Sequence, residues 1–449
     1  MARKETTKDG LINGYMHALD YGKTERRMVE LAEAQALQAG FVKYSADKPL
    51  NPGAKYYFIN RGKNFAAFVI GKENRSAQLL GAHIDSPRID VKQQPLYEKD
   101  KVAYFDTQYY GGIKKYQWTT IPLAMYGVVY RTDGTYYNIE IGDHPNDPIF
   151  CITDLLPHLG RSDMSKKTAE EYIKGENLDI IVGTTAIECS DEEKEKIKEP
   201  VKAFILDYIK AKWGMEEEDF CSAEIEIVPA GQARYCGLDR SLIAGYGQDD
   251  RVCAYTSLKA VLDLQDIPEH TAGVVLVDKE EIGSCCATGA KSRWFEDVLR
   301  AILNFDRCNE LQFATCLYNT HMLSSDVTAA FDPLYADAYD KKSSAKLGKG
   351  IMFSKYNGGR GKSGGADANP EFIAYVRGIM KENNCNYQFD SMGKVDVGGG
   401  GTIASMICSL NINVLDAGVP ILNMHSPMEL AHVDDIYSAY KAYSAFIRA

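Results

Sequence analysis

The ten residues Gly81-Ala82-His83-Ile84-Asp85-Ser86-Pro87-Arg88-Ile89-Asp90 constrain this chain more than any other stretch. They follow Ala77-Gln78-Leu79-Leu80, a mostly apolar run that reads as a buried strand ending at a glycine. Residues two apart in an extended chain point to the same side, so His83 and Asp85 should face one site together. An imidazole with a carboxylate to orient it is a common way to bind a transition metal. A strand-end histidine satisfied by a nearby aspartate would look the same, so the motif needs partners elsewhere in the chain.

Four stretches supply them, each at the end of a predicted strand, where open α/β sheets place their sites. They are Gln248-Asp249-Asp250-Arg251, Asp278-Lys279-Glu280-Glu281-Ile282-Gly283-Ser284, Ser324-Ser325-Asp326-Val327 and Asn423-Met424-His425-Ser426-Pro427. Two histidines, three carboxylates and one extra glutamate suit a pair of divalent ions. These donors fit zinc, and cobalt and manganese as well. Two ions a few ångströms apart are best held by one shared carboxylate, with a separate acid–base group kept off both. Glu280-Glu281 answers the last need. The pair follows the apolar run Gly273-Val274-Val275-Leu276-Val277 and precedes Gly283, so consecutive side chains diverge at a turn. The plain alternatives are an exposed acidic turn there and, at Asp249-Asp250, solvated acids at a helix start. His432 competes with His425.

At 449 residues the chain is too long for one ordinary core. Up to Asp90 it carries helical spacing over residues 11–40, strands at Tyr56–Asn60 and Ala66–Ile70, and the turn Arg61-Gly62-Lys63-Asn64 between them. From about Val91 to Ile243 it is β-rich, with an Asp133-Gly134 hairpin signal, the alternating run Ala223–Val228 and an amphipathic helix over Asp191–Trp213 broken near Pro200. After Tyr246 helices and buried strands alternate again: a helix over Cys253–Leu264, a strand over Gly273–Val277, helices over Trp294–Asn304 and Pro370–Asn383, and a loop from Lys341 to Gly365. The chemistry resumes only there, so a β-rich domain at 93–243 is expected to interrupt an α/β catalytic domain made of 1–92 and 244–449.

The formal net charge of -11 argues against nucleic acid or an anionic membrane as the main partner. The charged start lacks a signal-peptide core, no apolar run approaches a bilayer span, and eleven scattered cysteines form neither a disulfide framework nor a zinc ribbon. A cytoplasmic protein is expected.

The ordered motifs GAHIDSPRID, QDDR, DKEEIGS, SSDV and MHSPMEL resemble the aspartyl aminopeptidase family of co-catalytic zinc exopeptidases, over nearly the whole chain. That resemblance implies a zinc-exopeptidase-like sheet flanked by helices, with an inserted dimerisation domain. It implies that His83, Asp249 and Asp326 bind one metal and Asp249, Glu281 and His425 the other. Asp249 is the bridge rather than Asp250, because the family's bridging aspartate is followed by a polar residue. Glu280 would be the general base and Asp85 would orient His83. The reaction implied is removal of N-terminal residues, Asp or Glu, from short peptides; a neutral-residue aminopeptidase or a non-catalytic shell-forming relative are the alternatives. A basic side chain would read the acidic residue: Lys355, with Lys394 and Arg251 in reserve. Some members bring a histidine from a neighbouring subunit after a Pro-His-Leu sequence. Here Pro157-His158-Leu159 is present, but Ser162 stands where a second histidine is expected. The resemblance also implies a homo-oligomer, commonly a tetrahedral dodecamer.

Overall fold

Runs of apolar residues too hydrophobic to leave a face in water become the middle of a nine-stranded sheet. A computed structural model describes residues 6–188, 190, 196–303, 308–391 and 393–449. The sheet's strands are β1 (Val42–Lys43), β2 (Lys55–Asn60), β3 (Asn64–Val69), β4 (Glu73–His83), β5 (His270–Val277), β6 (His321–Ser324), β7 (Ile351–Ser354), β8 (Tyr387–Asp390) and β9 (Asn413–Gly418). Their spatial order is β1-β2-β3-β5-β4-β6-β9-β7-β8. β5, β4, β6 and β9 run parallel, the arrangement that buries both faces of a strand. Helices cover those faces. On one lie α1 (Lys8–Tyr21), α2 (Glu25–Gln38), α3 (Gln248–Leu262) and, near the C-terminus, α4 (Val433–Phe446). The helices Trp294–Ile302, Glu310–Tyr318 and Ala404–Cys408 pack on the other. Thr7 and Thr24 start α1 and α2 by accepting the free amides of Gly10 and Arg27.

The chain divides into two units. The first comprises Met1–Ser86, Ala233–Met424 and Met428–Ala449, and the second Pro87–Gln232 with His425–Pro427. Residues 92 and 243, where the sequence suggested boundaries, lie inside the strands Arg88–Lys99 and Leu242–Gly245. Leu242–Gly245 pairs with Glu429–His432 in a small sheet of the first unit. The second unit is a six-stranded antiparallel sheet in the order Tyr136–Ile141, Leu123–Tyr130, Ala223–Pro229, Arg88–Lys99, Val102–Tyr110, Ile180–Gly183. The Asp133-Gly134 turn joins two of these strands, with Gly134 in the left-handed region.

Two expectations need correction. The 341–365 segment is not all loop, since Ile351-Met352-Phe353-Ser354 is a buried strand. Four residues between glycine- and lysine-rich flanks are too few to show a period. The helix expected over Asp191–Trp213 runs from Pro200 to Trp213, with the proline in its first turn rather than at a kink; residues 191–195 of that span lie outside the described residues.

Candidate metal centre

Register places the site. Val277 pairs with His83, Ser324 with Gly81, and Ser324 with Asp416, so the parallel strands end together. His83, the Asp278–Glu281 turn and Asp326 therefore emerge from one edge of the sheet, the edge that open α/β sheets use. Asp249 and Asp250 reach it from the first, irregular turn of α3, which Gly247 enters at φ 71°. The peptide between the two aspartates is cis.

The His83 imidazole is buried, and its Nε2 lies 3.1 Å from Asp249 Oδ1 and 3.8 Å from Asp326 Oδ1. Its Nδ1 contacts the Asp85 carbonyl at 3.0 Å, with the Asp85 carboxylate 3.4 Å away. One donor atom each from His83, Asp249 and Glu281 lies within 4.8 Å of the others, and the same holds for His83, Asp250 and Asp326. Burial opposes a charge on His83, but hydrogen bonds to Asp249 and Asp85 and the nearby Asp326 and Asp250 outweigh it and hold the ring well above its usual range. Burial first, then the Asp250 charge, pushes Asp326 well above the ordinary carboxylate range, and burial raises Asp250 likewise. Acids crowded in a dry site this way resist ionising unless a cation joins them. Imidazole and carboxylate oxygens in such numbers fit divalent ions of the zinc type.

Asp85 holds more than the histidine. Its Oδ1 accepts the Glu280 amide at 3.1 Å and its Oδ2 the Glu281 amide at 3.2 Å. Lys279, Gly283 and Ser284 all have positive φ around this turn, so the backbone that carries the glutamate pair is bent sharply. Three supporting contacts are not assigned from the sequence, although Asp250 stands there as the alternative bridge and Ser86 lies in the opening stretch. Asp250 Oδ2 accepts the His83 amide at 3.3 Å. The buried Glu429 accepts the Asp249 amide through Oε2 at 3.1 Å, and the Ser86 hydroxyl donates to the Asp249 carbonyl at 2.5 Å. Contacts of a side chain with a distant backbone leave no local pattern. Glu429 falls within the quoted MHSPMEL stretch but carried no assigned role.

The other named residues have surroundings of their own or belong to the second unit. β7 is antiparallel to β9, with Met352 opposite Gly418 and Ser354 opposite Asp416, so the chain leaves β7 away from the edge where Asp326 emerges. Lys355, next in sequence, is half exposed and pairs with Asp367 at 3.0 Å. Arg251, in the first turn of α3, is buried and donates to the Lys23 and Gly247 carbonyls. Lys394 is exposed. His158 is exposed on the second unit's helix Pro157–Met164. His425 also belongs to the second unit, where its Nδ1 contacts the Gly112 carbonyl at 3.0 Å.

A glycine beneath the site can be tested. A Cβ on Gly418 would lie 1.6 Å from the Asp326 carbonyl oxygen, a backbone atom that cannot swing away. Gly418→Ala is therefore expected to destabilise the protein by ~3 kcal/mol or more, as overpacking against fixed atoms does. Denaturant melts would show it; an unchanged midpoint would mean that β6 and β9 separate easily.

The chain matches the family described as Aminopeptidase I zinc metalloprotease (M18) over residues 19–447. It is 48% identical over 432 residues to a probable M18 family aminopeptidase 1 of Clostridium acetobutylicum, covering 95% of this chain and 91% of that one. The crystal structure of an M18 family aminopeptidase from Thermotoga maritima superposes with a TM-score of 0.93 at 43% identity, covering 100% of this chain and 98% of the other. The fold also matches the S. cerevisiae mApe1 dodecamer, with a TM-score of 0.75 at 20% identity over 98% of this chain and 96% of that one.

Proposed function

Because this chain belongs to the M18 family of zinc aminopeptidases, we propose that it removes N-terminal residues from short peptides at the edge where His83, Asp249, Asp326 and Glu281 converge. In this reading His83, Asp249 and Asp326 hold one ion, and Asp249, Glu281 and His425 hold a second. The place of His425 rests on the MHSP motif alone. When bound, the two ions would supply Lewis acidity, making water a better nucleophile at neutral pH and polarising the scissile carbonyl. Glu280, half buried on the turn clamped by Asp85, takes a proton from the attacking water and returns it to the leaving amine. Asp85 fixes the tilt of His83 and the path of the glutamate turn together.

The convergence of those donors with a glutamate pair on one strand edge carries the reading. Metal-stripped protein should regain hydrolysis of aminoacyl-p-nitroanilides on addition of zinc, cobalt or manganese. No cleavage with metal demonstrably bound would favour the non-catalytic alternative.

Of the two specificities, the neutral one has the better support. Lys355 is engaged by Asp367 and Arg251 by backbone carbonyls, which leaves Lys394 as the remaining reserve for an acidic side chain. Leucyl-p-nitroanilide is accordingly expected to be cleaved with kcat/KM about tenfold or more above the aspartyl and glutamyl compounds, the discrimination that 1.4 kcal/mol gives. A preference for the acidic compounds would restore the acidic-residue reading and call for another cation at the site.

Self-association is part of the proposal. The second unit's sheet ends in the strands Tyr136–Ile141 and Ile180–Gly183, and Leu155, Leu156, Leu159 and Met164 expose apolar surface around His158. A homo-oligomer, up to a dodecamer, would cover such surface. Among the described residues no helix is long and apolar enough to cross a membrane. The ten described cysteines are free thiols, which suits a cytoplasmic setting.

A further inference from the structure

The turn Arg61-Gly62-Lys63-Asn64 does more than join β2 to β3. Arg61 and Gly62 both take positive φ, and the tight bend sends Lys63 inward, where it is 5% exposed. Its ammonium donates to Glu25 Oε1 at 2.8 Å and stands 3.9 Å from Asp278 Oδ2. Glu25 and Asp278 are wholly buried. Asp278 directly follows β5 and begins the turn carrying Glu280 and Glu281. Its Oδ2 also accepts the Thr288 hydroxyl at 2.7 Å, and Lys279 Nζ lies 3.2 Å from it.

The same hairpin grips the far side of that turn. The Asn64 amide donates to the Thr288 carbonyl at 2.5 Å and the Asn60 amide to the Ala287 carbonyl at 2.9 Å. The Lys279–Ser284 bend is thus held from two directions: Asp85 takes the amides of Glu280 and Glu281, while the hairpin and its buried lysine take Asp278 and the Ala287–Thr288 return. Backbone in sparsely populated conformations persists where its surroundings over-determine it. A buried ammonium shared by two buried carboxylates, one of them joined to the turn, is a strong fixed point of this kind.

We propose that Lys63 is a positioning residue for the aminopeptidase reaction: through Asp278 it fixes the bend at Lys279 and so the aim of the Glu280 carboxylate. The inference rests on the reading of Glu280 as the proton carrier. Lys63 touches neither substrate nor metal, so its loss changes how often Glu280 is correctly placed, not how tightly the peptide binds.

The test compares Lys63→Met and Asp278→Asn with the wild-type protein, loaded with zinc and assayed on the best p-nitroanilide substrate well below the melting temperature. The asparagine retains an oxygen for the Thr288 hydroxyl while removing the ion pair. Both variants are expected to lose about 10- to 100-fold in kcat, the range seen when groups that orient catalytic residues are removed. KM should stay within about twofold and bound zinc should equal that of the wild type. Wild-type kcat in the variants, or a loss carried by KM or by zinc content, would overturn the inference. If Lys63→Met alone fails to fold, Glu25→Gln/Lys63→Met removes the uncompensated charge and is read by the same criteria. Failure of both to fold would make the trio a stability element only. An inactive wild-type protein in this assay would instead sink the aminopeptidase reading itself.

Discussion

Glu280→Gln is expected to lower kcat by about 10³-fold while leaving zinc content and KM near wild type, a loss within the range for removal of a general base. Glutamine has the same shape, so the turn and the amide hydrogen bonds from residues 280 and 281 to Asp85 should survive. What disappears is a carboxylate that can accept and return a proton. Metal analysis alongside steady-state kinetics separates the roles of the adjacent pair. Glu281→Gln should lose metal as well as activity, because Glu281 shares donor distances with His83 and Asp249. A Glu280→Gln protein that keeps a tenth of wild-type turnover would remove Glu280 from the mechanism.

Stripping the divalent ions is expected to abolish turnover and to lower the melting temperature by roughly 5 °C, since ligand that binds only the folded state stabilises it by mass action. The pH dependence has a definite sign. Asp326 and Asp250 have folded-state values raised by burial, so the native apoprotein holds protons that the unfolded chain releases above about pH 4. His83 is raised as well, so its stabilising contribution is full below about 6.5 and fades as pH rises through its higher folded value. All three shifts make the metal-free protein less stable as pH increases from the carboxylate range upward. The gain in melting temperature on adding zinc should consequently be larger at pH 8 than at pH 6. Equal gains at the two values would show that these groups do not govern the apo state.

The strand-end motifs were legible because most of them set ligand-type residues at the end of an apolar run, and three have a glycine beside them. Those patterns marked out the stretches that hold His83, Asp249, Glu281 and Asp326, and the family resemblance named these four among the ligands; they meet within a few ångströms. Lys355 shows the limit. Its place in the chain suggested a substrate contact, but the direction of β7 decides which edge it reaches, and four residues of strand do not encode direction. Glu429 and Lys63 were unreadable for a different reason. Each acts on a segment far away in sequence, and neither a backbone amide nor a buried ion pair leaves a periodic trace. The helix start at Pro200 shows a third: a proline suits a first turn better than an interior kink, and only the fold tells which it occupies.

The position of β5 between β3 and β4 has a consequence for how the protein is made. β3 and β4 are consecutive in the chain, yet the gap between them is filled by a strand that is synthesised only after the whole Pro87–Gln232 segment. A nascent chain emerging from the ribosome must therefore keep two hydrophobic strand edges apart, or protected, until the third arrives. Pairing of such sequence-distant strands is slow and leaves edges open to aggregation. Truncated chains ending before His270 should accumulate as insoluble or chaperone-bound species rather than as a folded first half.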